Sequence, residues 1–66
     1  MQVTVNAKPI DIDQEATLAS LIQSLQLDPR ILVAEVNAEI VPRDQFEART
    51  LAPEDRIELV RLVGGG

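Results

Sequence analysis

The amino-acid sequence predicts an α+β fold, a mixed β-sheet with one main helix packed on one face. Three observations predict it. Residues 1–13 alternate apolar and polar side chains in two short runs, residues 17–25 repeat their apolar positions at helical spacing, and from residue 31 the chain returns to β-branched runs separated by turns.

In "MQVTVN" Met1, Val3 and Val5 face one way while Gln2, Thr4 and Asn6 face the other, the period of a half-buried strand. "NAKP" reads as a turn, and "PIDID" resumes the alternation with Ile10 and Ile12 inward and Asp11 and Asp13 outward. The two runs form an antiparallel hairpin most simply. Leu18, Leu21, Ile22 and Leu25 then lie at i, i+3, i+4 and i+7, one stripe of a helix. Thr17 is placed to cap this helix, with Asp13 and Glu15 near its positive end. Pro29 is expected to stop it after about ten residues, since a proline disfavours helical geometry at the residue before it.

"ILVAEV" is apolar for longer than a one-sided strand needs and reads as an interior strand. "NAEIVP" follows as a turn and a short edge strand ending at Pro42, where a missing N–H is tolerated. "RDQFEARTLAPEDR" lacks a clean period and is expected to form a short helical turn and a loop anchored by Phe46 and Leu51. "IELVRLV" carries apolar residues on both faces, as a centrally placed strand does. Internal repeats and low-complexity tracts are absent. With the last strand parallel to the first in the sheet centre, this order is the ubiquitin-like β-grasp.

The 66 residues make one domain, expected over 1–63 with a flexible glycine tail at 64–66. With 45% hydrophobic residues the chain should fold, although it contains neither Cys nor His to staple it with a disulfide or zinc. Lack of cysteine and of a leader-like N-terminus points to a cytoplasmic protein, and no apolar run is long enough for a membrane. A net charge of −5, six scattered basic residues and one aromatic argue against nucleic-acid binding. A partner guided by charge would present a basic surface.

Candidate sites in the folded body weigh little. Asp11, Asp13 and Glu15 resemble the start of a calcium loop, but Ala16 and Ile22 stand where that loop needs Gly and Glu. Glu54 and Asp55 could be offered as a catalytic carboxylate pair, but they sit in a polar turn with no His or Cys nearby in sequence, and a solvated turn is the better reading. Phe46 reads as core, and Arg43 either caps the turn that follows it or contacts a partner. Without His, Cys, a Gly-rich phosphate loop or a triad, the chain is expected to be no enzyme and to bind no cofactor of its own.

That leaves the end of the chain, "RLVGGG", which holds every glycine in the sequence. Three extended residues carry a terminal carboxylate roughly 10 Å beyond the last strand. Lacking side chains, they can pass through a channel too narrow for other residues. A carboxylate is a poor electrophile, so it needs activation, as by joining to AMP, before a sulfur or nitrogen nucleophile attacks its carbon.

"VNAEIVPRDQF", "DRIELVRLVGGG" and the length together closely resemble the ThiS family, sulfur carriers of thiamin biosynthesis, over the whole chain. The resemblance implies that an E1-like enzyme adenylates Gly66 with ATP. It implies that a sulfur donor, such as a relay from a cysteine desulfurase, converts that end to a thiocarboxylate, and that thiazole synthase takes the sulfur. Gly64 and Gly65 would be the slender approach, and Val60, Leu62 and Val63 a docking surface beside it. The chain departs from the family's habit at Pro53-Glu54-Asp55, where members often carry Gly, at Phe46, often Trp or Tyr, and at Arg61-Leu62, where an aromatic residue is common. Three other readings remain: a small subunit of molybdopterin synthase, a ubiquitin-like modifier of lysines, and a binding module with an inert tail.

Overall fold

The computed structural model describes residues 1–62. Val63, Gly64, Gly65 and Gly66 lie outside the described residues, and so does the expected boundary between body and tail. Five strands, β1 (Gln2–Val5), β2 (Lys8–Asp11), β3 (Leu32–Val36), β4 (Glu39–Val41) and β5 (Arg56–Arg61), form one sheet in the order β2-β1-β5-β3-β4. The central β5 runs parallel to β1 and antiparallel to β3. The mixed sheet and single α-helix agree with the expected β-grasp.

The first hairpin is tighter than "NAKP" suggests. Val5 pairs directly with Lys8, so Asn6 and Ala7 alone make the turn, at φ of 48° and 70°. The second hairpin repeats the device: Val36 pairs with Glu39 around Asn37 and Ala38, at 52° and 70°. Positive φ at both central residues gives a turn whose twist matches that of the strands it joins. Each turn thus uses Val-Asn-Ala in place of a glycine, a three-residue echo too short to count as a repeat. Pro9 sits inside β2, an edge strand.

The α-helix, α1 (Leu18–Ser24), is shorter than expected, seven residues. Thr17 caps it: its Oγ1 accepts the Ser20 N–H at 3.1 Å while Ser20 Oγ accepts the Thr17 N–H at 2.9 Å. Leu18 and Ala19 donate their N–H groups to the carbonyls of Arg49 and Phe46, so the loop after β4 finishes the helix start. Neither Asp13 nor Glu15 enters its first turn, which contains no acid.

Pro29 does not stop α1. The helix closes at Leu25 and Gln26, the latter at φ 60°, with the N–H of Leu27 reaching the carbonyl of Ile22 at 3.2 Å and that of Gln26 reaching Gln23 at 2.9 Å. These are the paired bonds of a Schellman end, with glutamine where glycine is usual. Pro29 instead opens a 3₁₀ turn (Pro29–Ile31) capped by Asp28. Ile31 therefore belongs to that turn, and β3 begins one residue later than "ILVAEV" implies.

Leu18, Leu21 and Ile22 pack on Val3, Val5, Ala34, Val36, Ile57 and Leu59 from the sheet, with Phe46 and Leu51 closing the core as expected. Leu25 is half-buried at its margin. The sheet's opposite face has no layer on it among the described residues. In β5 only Ile57 and Leu59 are buried while Glu58 and Val60 are exposed, so its apolar residues on both faces mark a central strand with one open side.

Candidate functional site

β5 leads to the glycines, and three neighbours hold it. On the β1 side the backbone ladder ends at the first hairpin turn, where Asn6 donates its N–H to Ile57 at 2.9 Å. Its side chain supplies the next rung: Oδ1 accepts the Leu59 N–H at 2.8 Å, and Nδ2 donates to the Leu59 carbonyl at 3.2 Å. At the start of the strand Asn37 Oδ1 accepts the Arg56 N–H at 3.0 Å, and Asn37 Nδ2 donates to Asp55 Oδ1 at 2.9 Å.

On the β3 side, Leu62 donates its N–H to the carbonyl of Ile31 at 2.7 Å. That carbonyl ends the 3₁₀ turn, which Asp28 and Arg30 brace. Asp28 Oδ1 accepts from the Arg30 backbone at 2.9 Å, and the guanidinium of Arg30 grips both carboxylate oxygens at 3.1 and 2.9 Å. The Arg30 side chain, then its backbone N–H, hold the Asp28 carboxyl below its usual pKa. The same contact raises the Arg30 pKa.

The expected docking residues Val60 and Leu62 are 54% and 53% exposed, Val60 on the open face and Leu62 just past the strand. Val63, Gly64, Gly65 and Gly66 fall outside the described residues. The sequence reading missed Ile40, 69% exposed in the edge strand β4. Its signal was the alternation that turns Val41 inward and therefore Ile40 outward. Val33 lies directly across from Val60, and Glu35 directly across from both Ile40 and Glu58. The open face therefore carries apolar groups and two facing carboxylates.

The other candidates take structural places. Asp55 Oδ2 accepts the Ala52 N–H at 2.7 Å and Glu54 adopts φ 67°, so the pair shapes the turn before β5. Phe46 is 3% exposed and belongs to the core. Arg43 opens a 3₁₀ turn (Arg43–Gln45), is exposed, and borders a groove of about 510 Å3 with Ile22, Leu27, Pro29 and Phe46 on the helix side of the molecule. The turn has no side-chain cap. Asp11, Asp13 and Glu15 are exposed, and among the described residues no three Asp, Glu, His or Cys side chains gather as a metal site. No helix among the described residues is long and apolar enough to cross a membrane.

A family model described as "ThiS family" matches residues 3–66. The crystal structure of a thiamine biosynthesis protein (ThiS) from Geobacter metallireducens superposes with a TM-score of 0.85 at 30% identity, over 100% of both chains. The sulfur carrier protein ThiS of Bacillus subtilis is 38% identical over 50 residues, 76% of either chain. The thiazole synthase of Magnetococcus marinus is 32% identical over 66 residues, and the chain spans only 20% of that protein's length. A second thiazole synthase, from Paramagnetospirillum magneticum, matches in the same proportion at 29% identity.

Proposed function

The chain belongs to the ThiS family, and from that premise we propose that it is a sulfur carrier of thiamin biosynthesis whose working atom is the carboxyl carbon of Gly66. The observation that carries the reading is the match over residues 3–66, which includes a glycine-only end. The carboxylate of Gly66 attacks the α-phosphorus of ATP in an E1-like adenylating enzyme, and pyrophosphate leaves. A sulfur nucleophile, delivered by a relay from a cysteine desulfurase, then attacks the acyl carbon. AMP departs with the bonding electrons, leaving an acyl disulfide to the relay's sulfur; a thiol then attacks that relay sulfur, forms a disulfide with it and releases the thiocarboxylate. Thiazole synthase accepts that sulfur. The body contributes no acid or base to these steps; it offers a handle, with Gly64 and Gly65 as the approach and Val60, Leu62 and Val63 as the contact beside it.

Relatives named thiazole synthase favour this acceptor over molybdopterin synthase, because each contains a segment like the whole of this chain. The test is intact mass after incubation with the adenylating enzyme, ATP and a sulfur donor. One oxygen exchanged for sulfur is expected. Amide-linked adducts on other proteins would establish the modifier reading instead, and an unchanged mass would remove both.

A further inference from the structure

We propose that the groove between α1 and the 3₁₀ turn Arg43–Gln45 is a docking site for an amphipathic helix of another protein, lying antiparallel to α1 with an acidic residue in its first turn and a basic residue in its last. The groove has a volume of about 510 Å3, within the usual range of binding sites, and it lies on the helix side of the sheet, away from Val60. A partner seated here leaves the opposite face open.

One wall is a single side of α1 and its closing turn. Ala19, Ile22, Gln23 and Gln26 fall at i, i+3, i+4 and i+7, so the wall runs about 10 Å at a rise of about 1.5 Å per residue. Ile22 and Phe46, both buried, form the floor, Ala19 and Leu27 are half-buried, and Pro29 lies at the far end. Ala19 has a single carbon for a side chain, so a neighbouring helix can come close there. An apolar trough of this length suits side chains spaced one helical turn apart, the pattern of helix-in-groove recognition.

The other wall gives the groove two ends of unlike charge. The Ala19 N–H bonds the Phe46 carbonyl at 2.9 Å, which sets Glu47 beside the start of α1. Arg43 stands toward Asp28 and Pro29 at the other end, where its charge, after that of Arg30, also holds the Asp28 carboxyl down. Arg43 and Glu47 do not neutralise one another, since the one ion pair within 4.0 Å among the described residues joins Arg30 to Asp28. Asp44, on the same wall, adds a second carboxylate.

A complementary occupant therefore presents an acid to Arg43, a base to Glu47 and apolar groups between. A free amino acid carries both charges on one carbon and reaches only one end; a helix of three turns reaches both. The helix dipole favours acids at the start of a helix and bases at its end. That order puts the acid at Arg43 only when the incoming helix runs opposite to α1.

The experiment titrates the isotope-labelled full chain, followed by NMR, with two synthetic stapled helices of the same composition and with leucines spaced to fill the groove. One has glutamate in its first turn and arginine in its last; the other has them exchanged. The first is expected to shift the backbone amides of Gln23, Gln26 and Glu47, to leave those of Ile40 and Val60 in place, and to bind on the order of 10-fold more tightly than the second at low salt. The difference should shrink at high salt. In Arg43→Glu/Glu47→Arg, whose substituted side chains are both exposed and whose Tm is expected to stay level, the preference should reverse. Equal binding of the two helices by the wild type, shifts confined to the open sheet face, or no shift with either would each overturn the proposal. Phenylbutyrate binding in the groove as tightly as the first helix would replace it with a small-carboxylate site, and self-association of the chain through the groove would overturn it too. Tail loading does not enter these titrations, so their failure leaves the carrier reading standing.

Discussion

The side-chain amide of Asn6 takes the place of a strand: its two polar atoms bond the N–H and the carbonyl of Leu59, continuing the β1–β5 ladder after β1 has turned away. Leu59 is the last buried residue among those described, so this contact fixes the line along which β5 leaves the body. Asn6→Ala removes both bonds and orphans both backbone groups at a half-buried position. The expected loss is about 1–3 kcal/mol, from two hydrogen bonds of ordinary net strength. Asn6→Asp keeps the acceptor for the Leu59 N–H but leaves the carbonyl without a donor, and should fall between. Denaturant melts read the stability, and amide exchange at Leu59 shows whether the loss is local. Unaltered exchange there in Asn6→Ala would show that the amide does not hold the strand.

Ala7 and Ala38 both sit at φ 70°, where a Cβ crowds the following carbonyl at a cost of about 1–2 kcal/mol. Glycine removes that cost but loses about 0.4–1 kcal/mol through the freedom it adds to the unfolded chain. Ala38→Gly is therefore expected to stabilise by about 0.5–1 kcal/mol, a rise of a few degrees in Tm for a domain of this size. Ala7→Gly should act alike, and the two should add, since separate hairpins hold them. A lowered Tm in both would mean that the turns owe their shape to something other than backbone preference.

Much of this architecture is legible in the sequence because burial imposes a period. Val3 and Val5 in the first strand, and Leu18, Leu21 and Ile22 in the helix, repeat as the sheet and helix require, and all five are buried. Local closures were less legible. Pro29 drew attention as a helix stop, yet Gln26 closes the helix three residues earlier because hydrogen bonds from the next residues satisfy its last carbonyls. The turns at Asn6-Ala7 and Asn37-Ala38 carry no glycine to announce left-handed backbone. The docking role of Val60 was inferred beside the tail, whereas Ile40 lies 20 positions before Val60 and reaches the same face only through strand pairing.

Asp28 gives the fold a specific acid sensitivity. Its folded pKa lies below 3.8, chiefly through the Arg30 side chain, so its contribution is present above the unfolded pKa and is lost as pH falls through the folded one. The pair is exposed, and the effect on global stability is small. It should be clearer locally, because the turn it braces presents the Ile31 carbonyl to Leu62. Below pH about 3.8 the Leu62 amide is expected to lose protection ahead of core amides such as that of Ile57. In Asp28→Asn that difference should be pH-independent, and loss of the two amides together in the wild type would argue against a separate brace.

Two variants at the far end separate folding from loading. Among the described residues the core cluster runs from Val3 to Leu59, so Gly65→Val should leave Tm and the exchange of those core amides unchanged. Loading is a different matter, because a valine adds a branched Cβ one residue from the carbon that reacts. A carboxylate displaced by about 1 Å from an attacking geometry loses on the order of 100-fold in rate. The initial rate of pyrophosphate release with the adenylating enzyme should therefore fall by about that factor. Affinity, measured without ATP, should change far less if the sheet face supplies the contact. Gly65→Ala tests the width of the passage alone, since alanine adds a single carbon: its rate should lie between glycine and valine. Equal rates for all three would show that the enzyme does not close around this stretch, and that the run of glycines serves reach rather than passage.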